Sequence, residues 1–172
     1  MLLCRIAYDR QNNRPVGVAV NNSCHQSELD VTLEEELREM QDPRFHSYQA
    51  IHHQLRKENE HIFGEIGTTK MFSIKMIGIS PEDRGQGVAT NLIRRSILLA
   101  GCLGFRAIKA EATGKFSKET FQRVGMYPAG SIKYADFQYK GEKVFEGLAD
   151  TKDTDITFMR KKFFQSALKH IV

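Results

Sequence analysis

Apolar and β-branched residues gather in two short runs near the start of the chain, Leu2 to Tyr8 and Val16 to Asn21. Between them lies the polar stretch Asp9-Arg10-Gln11-Asn12-Asn13-Arg14-Pro15, whose Asn, Asp and Pro residues favour turns, so the pair predicts a hairpin. The period then changes. Thr32-x-x-Glu35 has the form of a capping box and opens a short acidic helix to about Met40, and Asp42-Pro43 supplies a cap and a first-turn proline for a second helix. From Pro43 to about Ile62, the residues Phe45, Tyr48, His52, Leu55, Asn59 and Ile62 recur at spacings of three and four, which places them on one mostly apolar helix face.

The second half alternates between the two periods. Met71 to Ser80 reads as a strand, Val88 to about Leu103 as a helix, Ala107 to Thr113 as a strand and Lys115 to Val124 as a helix. Ser131 to Phe137, Lys143-Val144-Phe145 and Ile156 to Arg160 are strand-like, with Gly141 as a turn. This order predicts an α/β fold of the α+β kind: a mixed, mostly antiparallel twisted sheet with helices on both faces. The chain of 172 residues suits a single domain spanning 1–172, with no repeat, linker or low-complexity stretch.

Composition narrows the function classes. Cys4, Cys24 and Cys102 are odd in number and lack CxxC spacing, which argues against a disulfide framework and against a structural metal site and fits a reducing compartment. No apolar run approaches the length of a membrane span, and Met1-Leu2-Leu3-Cys4 meets Arg5 too soon for a signal-peptide core. The expectation is a cytoplasmic protein without membrane attachment, and a monomer. The net charge is +4, but Arg94-Arg95, Lys161-Lys162 and the lysines between 140 and 143 form no stripe and carry no interleaved aromatics. A solvated surface explains them better than nucleic acid does, and the sign also suits an anionic small molecule.

One segment carries chemistry more specifically than the rest. Arg84-Gly85-Gln86-Gly87-Val88-Ala89 lies between the strand that ends near Ser80 and the helix that opens at Val88. Residues without Cβ atoms let a backbone approach an anion, and a helix opening directly after them aims unpaired N–H groups and the positive end of its dipole at it. A cofactor bearing a diphosphate is implied. A P-loop would need Lys followed by Ser or Thr where Val88-Ala89 stands. A dinucleotide fingerprint fares better, with Glu111 near the place of a ribose-binding acid, but Thr90 holds the third glycine's position. A helix entry that uses glycines for its turn alone is the third reading.

Arg84-x-x-Gly87-x-Ala89 also satisfies the acetyl-CoA loop of the GNAT superfamily of N-acetyltransferases, which the chain resembles. The strand into the loop, the strand Ala107 to Thr113, the helix Lys115 to Val124 and Gly125-Met126 closing it all match that family's order. Ile132-Lys133-Tyr134-Ala135-Asp136-Phe137 and Thr113-x-x-x-Ser117 resemble its insect arylalkylamine (dopamine-type) branch in particular. Against the family pattern the chain is short at its amino end, because residue 1 lies nearly inside a strand that a further strand and helices normally precede.

The resemblance implies that acetyl-CoA is a co-substrate, with main-chain groups of Ile77 and Ile79 along the pantetheine arm and Arg84, Gly85, Gln86, Gly87, Val88 and Ala89 receiving the diphosphate. Gly78 marks either a bulge that splays this strand or an ordinary flexible position. Many members donate a proton to the leaving thiolate from a tyrosine, where this chain has Phe121. The arylalkylamine branch uses hydroxyls that match Thr113 and Ser117, although a helix cap also explains Ser117 and plain turn chemistry explains Thr113.

The branch's amino-terminal glutamate base has no match here, which leaves a histidine or carboxylate as substitute: His46, His52 and His53 are candidates by type, with packing the alternative for His52, and Glu111 either points into the site or merely ends its strand. The acceptors implied are arylalkylamines such as dopamine, serotonin, tyramine and octopamine, walled by Phe45, Tyr48, Phe72 or Tyr134 or by none of them if these are core. Two other readings stand beside this one: a CoA-binding short form impaired in catalysis, and an acetyltransferase for polyamines or other small amines. Cys102 lies in a helix-like stretch and is not assigned as a nucleophile, so attack by the amine is direct.

Overall fold

The computed structural model describes residues 3–148 and 151–163. Its strands are β1 (Arg5–Tyr8), β2 (Pro15–His25), β3 (Lys70–Ile79), β4 (Ala107–Ala112), β5 (Tyr127–Lys133) and β6 (Asp155–Lys162). They form a six-stranded sheet in the order β1-β2-β3-β4-β6-β5. Only β3 and β4 run parallel; every other neighbouring pair is antiparallel. The helices are α1 (Leu33–Arg38), α2 (His46–Glu58), α3 (Ile62–Ile66), α4 (Val88–Cys102) and α5 (Lys115–Arg123), and α4 makes the crossover that the parallel pair requires.

The sheet separates two cores. On one face Ile51 and Leu55 of α2 and Ile62 and Phe63 of α3 pack on Met71, Ala107, Ile156 and Phe158. On the other, Ile93 and Ala100 of α4 and Phe121 of α5 pack on Phe72, Ile74, Ile108 and Met159. Strand alternation distributes β4 between them. Ile108, Ala110 and Ala112 enter the second core, which turns Lys109 and Glu111 toward α2.

The helix expected from Pro43 to about Ile62 is interrupted. Asp42 caps a single 3-10 turn, Pro43–Phe45, by accepting a hydrogen bond from the Arg44 N–H at 3.0 Å; α2 then runs to Glu58. At Asn59 the backbone leaves helical geometry (φ −109°, ψ 14°) while its buried side-chain amide donates to the Leu55 carbonyl at 2.8 Å. Asparagine competes for backbone partners in this way, so the three-and-four periodicity continues across a real break.

Two strand expectations also shift. β5 begins at Tyr127 and ends at Lys133, so residues 134–137 turn out of the sheet instead of extending it. Lys143-Val144-Phe145 is not a strand: Gly141 (φ 84°) and Lys140 (φ 53°) form the tight turn between bridged Tyr139 and Glu142, and the chain then enters a short 3-10 turn at Glu146–Leu148. Phe145 is drawn inward against the rings of Tyr134 and Phe137, at centroid distances of 5.2 and 5.7 Å. Aromatic packing outweighs strand propensity there.

Candidate active site

The parallel pairing of β3 with β4 stops at Ile74 and Ala110. Beyond that point residues 75–79 of β3 keep β2 on one side and have no strand on the other, so the sheet opens into a V. The irregularity that accompanies this opening is at Lys75. Pairing with β2 passes from Val20–Met76 to Asn21–Ile74 and leaves Lys75 as the extra residue, whereas Gly78 pairs regularly with Val18. The bulge considered for Gly78 is therefore three residues earlier.

The glycine turn stands at the wide end of the V. Gly85 and Gly87 have φ of 77° and 78°, left-handed values that favour glycine, and the turn residues Arg84 to Gly87 are all exposed. The Asp83 carboxylate anchors the approach by accepting from the Arg14 guanidinium at 3.0 Å. The first intrahelical bond of α4 runs from the Asn91 N–H to the Gly87 carbonyl, so the N–H groups just before it are directed out of the open end of the helix.

From this turn a cleft of about 360 Å³ runs along β3, lined by Ile77, Gly78, Ile79, Arg84, Ala89 and Ser117 among others. Val88 lines a separate groove beside β1 instead. Ile77, Ser117 and Phe121 also line a second cavity, of about 200 Å³, so the two spaces meet at these three residues. Thr113, Tyr48, His52, Lys75, Met76 and Glu111 complete the second cavity.

Ser117 is not the helix cap. It is the third residue of α5, and its hydroxyl reaches back to the capping residue Gly114, donating to the carbonyl at 2.8 Å and accepting from the N–H at 3.3 Å. Thr113 leaves its side chain to the cavity while its carbonyl accepts from the Tyr134 hydroxyl at 2.8 Å. Tyr134 thus serves the core, as does fully buried Phe72, while Phe45 is exposed and lies away from the cavity; of the aromatic walls considered, Tyr48 alone lines it.

Among the candidate bases the structure separates His52 from the others. His53 faces Glu36 at 3.3 Å, and His46 lines neither space. His52 is buried, its ring lies 4.3 Å from that of Tyr48, and its Nδ1 meets Glu111 Oε2 at 2.5 Å. A carboxylate accepts only, so Nδ1 carries the proton of this bond and Nε2 is the ring nitrogen turned away from Glu111. Among the described residues no group pairs with Nε2.

Glu111 is itself gripped by the Lys109 ammonium, which lies 2.6 Å from Oε1 and is almost wholly buried, and faces Arg56 at 3.9 Å. Burial works to raise its pKa, but Lys109, the His52 hydrogen bond and Arg56 outweigh burial and hold the carboxyl well below the usual carboxylate range. So stabilised an anion is a poor proton acceptor. Through the same hydrogen bond it fixes the orientation of the His52 ring. Lys109 and Arg56 complete this charged cluster, which hydrophobic periodicity alone does not reveal. The signal was present in Lys109-Ala110-Glu111-Ala112, where opposite charges two apart on an otherwise apolar strand share one face.

Among the described residues, no group of His, Cys, Asp and Glu could hold a metal ion, and no helix is long and apolar enough to cross a membrane. Strand order, the splayed parallel pair and the helix after an exposed glycine turn define the GNAT fold. No protein-family model matches the chain. Its structure is similar to that of arylalkylamine N-acetyltransferase 2 from Aedes aegypti (26% identity, TM-score 0.82), over 92% of this chain and 72% of that one. It is similar to mosquito arylalkylamine N-acetyltransferase like 5b at 22% identity and TM-score 0.82, over 93% of this chain and 74% of the other. The Drosophila melanogaster polyamine N-acetyltransferase, which forms N-acetylagmatine, superposes with TM-score 0.80 at 16% identity, over 93% of this chain and 74% of its own.

Proposed function

We propose that the protein is an acetyl-CoA-dependent N-acetyltransferase for arylalkylamines of the dopamine, serotonin, tyramine and octopamine class. The observation that carries this reading is that the two spaces share Ile77, Ser117 and Phe121: Arg84 and Ala89, on either side of the glycines, line one, the His52–Glu111 pair lines the other, and Ser117 borders both. The similarity to insect arylalkylamine N-acetyltransferase structures supports the same class.

Acetyl-CoA lies with its diphosphate at the N–H groups of Gly85 to Ala89 and its pantetheine arm along the unpaired edge at Ile77 and Ile79, as an added strand would. The thioester then falls near Ser117, beside the acceptor cavity. The acceptor arrives as an ammonium ion and gives a proton to His52 Nε2, directly or through one water. Its freed lone pair forms the bond to the carbonyl carbon, the C–S bond breaks, and the electron pair leaves on sulfur. The Ser117 hydroxyl turns from the Gly114 carbonyl to hydrogen-bond the thiolate, with Thr113 as the second hydroxyl at the same wall; the acylated nitrogen gives its second proton to the thiolate, directly or through water, which leaves the neutral amide and the free thiol, and the proton on the imidazolium returns to solvent. No cysteine lines either space, in keeping with direct transfer. The His52–Glu111 pair supplies the base whose absence had favoured an inactive CoA-binding form.

Steady-state assays with acetyl-CoA and tryptamine, dopamine or spermidine test the reading. Turnover of the two aromatic amines is expected. Binding of acetyl-CoA without turnover of any amine would return the protein to the inactive form, and turnover of spermidine alone would remove the arylalkylamine assignment.

A further inference from the structure

Lys75 occupies an unusual place in the acceptor cavity. It is the bulged residue of β3, positioned where that strand parts from β4, and it lines both the cavity that Ser117 enters and a smaller space of about 150 Å³ continuous with it through Tyr48, His52 and Glu111. A bulge re-aims a side chain. Lys75 and Met76, adjacent in sequence, consequently both border the same cavity, where an unbroken strand would send them to opposite faces.

The charges around this space do not balance. Glu111 is held by Lys109 at 2.6 Å and by His52, and Glu36 is held by Arg56 at 2.7 Å and by Gln49 at 2.5 Å. Both carboxylates of this network thus already have basic partners. Among the described residues no carboxylate pairs with the Lys75 ammonium. Of the charged side chains that line these two spaces, Lys75 and Arg56 are cations and Glu111 is the carboxylate, and Lys75, exposed on β3, is the cation without a carboxylate partner among the described residues.

We infer that Lys75, backed by Arg56, selects the acceptor by its far end, admitting amines whose tail is uncharged or a hydrogen-bond acceptor and rejecting those whose tail carries a second positive charge. This rests on the acetyltransferase reading of the same cavity and deepens it by naming which amines the cavity excludes. An arylalkylamine with a ring hydroxyl places a hydrogen-bond acceptor beside the ammonium, with Tyr48, Met76 and Phe121 as apolar walls for its ring. A guanidinium or second ammonium at that depth would meet Lys75 and Arg56 with no free carboxylate to neutralise it. Like charges in a partly desolvated cavity disfavour binding by roughly tenfold to a hundredfold.

Tyramine and agmatine separate the effects, because each offers one primary amine and they differ at the tail. The wild-type protein is expected to favour tyramine in kcat/KM by about tenfold or more. Lys75→Glu should shift the tyramine-to-agmatine ratio toward agmatine by at least about tenfold, with Lys75→Met in between. An unchanged ratio in Lys75→Glu, or agmatine used as well as tyramine by the wild type, would overturn the inference. If neither amine turns over, the acetyltransferase reading falls, and calorimetry of both amines with the CoA-loaded protein decides on Lys75. Tighter tyramine binding, relaxed by Lys75→Glu, sustains its role; equal affinities, or no binding of either amine, refute it.

Discussion

At the scale of single residues the proposal concentrates on one imidazole. His52 has one ring nitrogen committed to Glu111 and the other buried without a protein partner, an arrangement that costs stability unless a ligand or water completes it. His52→Gln keeps an amide for Glu111 but removes the proton acceptor. We expect kcat to fall by about a hundredfold while the acetyl-CoA dissociation constant is nearly unchanged, and we expect the shape of the pH–rate profile to differ from the wild type's, since a general base contributes a limb to that profile. Equal losses in kcat and in cofactor affinity, or an unaltered pH profile, would make His52 a packing residue. The sequence offered three histidines on or before one helix without ranking them. What ranks them is the partner: Glu111 is 59 positions away, and only the sheet brings it beneath α2.

Between elements, the same carboxylate is a structural tie. Glu111 on β4 binds His52 and faces Arg56 on α2, and Glu36 on α1 binds Arg56 from the other side, so three elements share one charged network. Both carboxylates have folded-state pKa values below their ordinary range, in each case because hydrogen bonds and neighbouring cations outweigh the burial that works to raise them. A depressed folded pKa means that the unfolded chain binds protons first. The network's contribution is therefore complete above about pH 5 and is lost progressively as pH falls through the ordinary carboxylate range and below, near pH 4 and lower. Denaturant unfolding at pH 7 and pH 4 should show a larger loss for the wild type than for Glu111→Gln, whose pH 7 stability is already lower by about 3 kcal/mol. Parallel losses in the two proteins would mean that Glu111 does not report on folding. Elements were largely legible beforehand: the capping box at Thr32, the helix after Gly87 and the alternating β4 lie where residue type and period put them. The break at Asn59 and the bulge at Lys75 were not, because each depends on a tertiary partner that leaves no local mark.

Across the whole molecule, the sheet's change of direction does the positioning. One parallel pair among antiparallel ones forces the α4 crossover, the crossover puts an exposed glycine turn at the mouth of the V, and the V leads from that turn to His52. The glycine turn was visible in sequence because a left-handed turn into a helix restricts residue type, whereas Thr113 and Ser117 were singled out by the resemblance alone. The acceptor cavity was not, since Phe72 and Tyr134 have the same composition as a ligand wall and turn out to be core. Everything chemical in this reading depends on the turn holding a diphosphate. Calorimetric titration with acetyl-CoA and, separately, with S-acetyl-pantetheine, which lacks the diphosphate, measures that dependence directly. Saturable binding of acetyl-CoA, weakened by at least about a hundredfold in S-acetyl-pantetheine, is the predicted result; equal affinity for the two, or no heat with either, would contradict it.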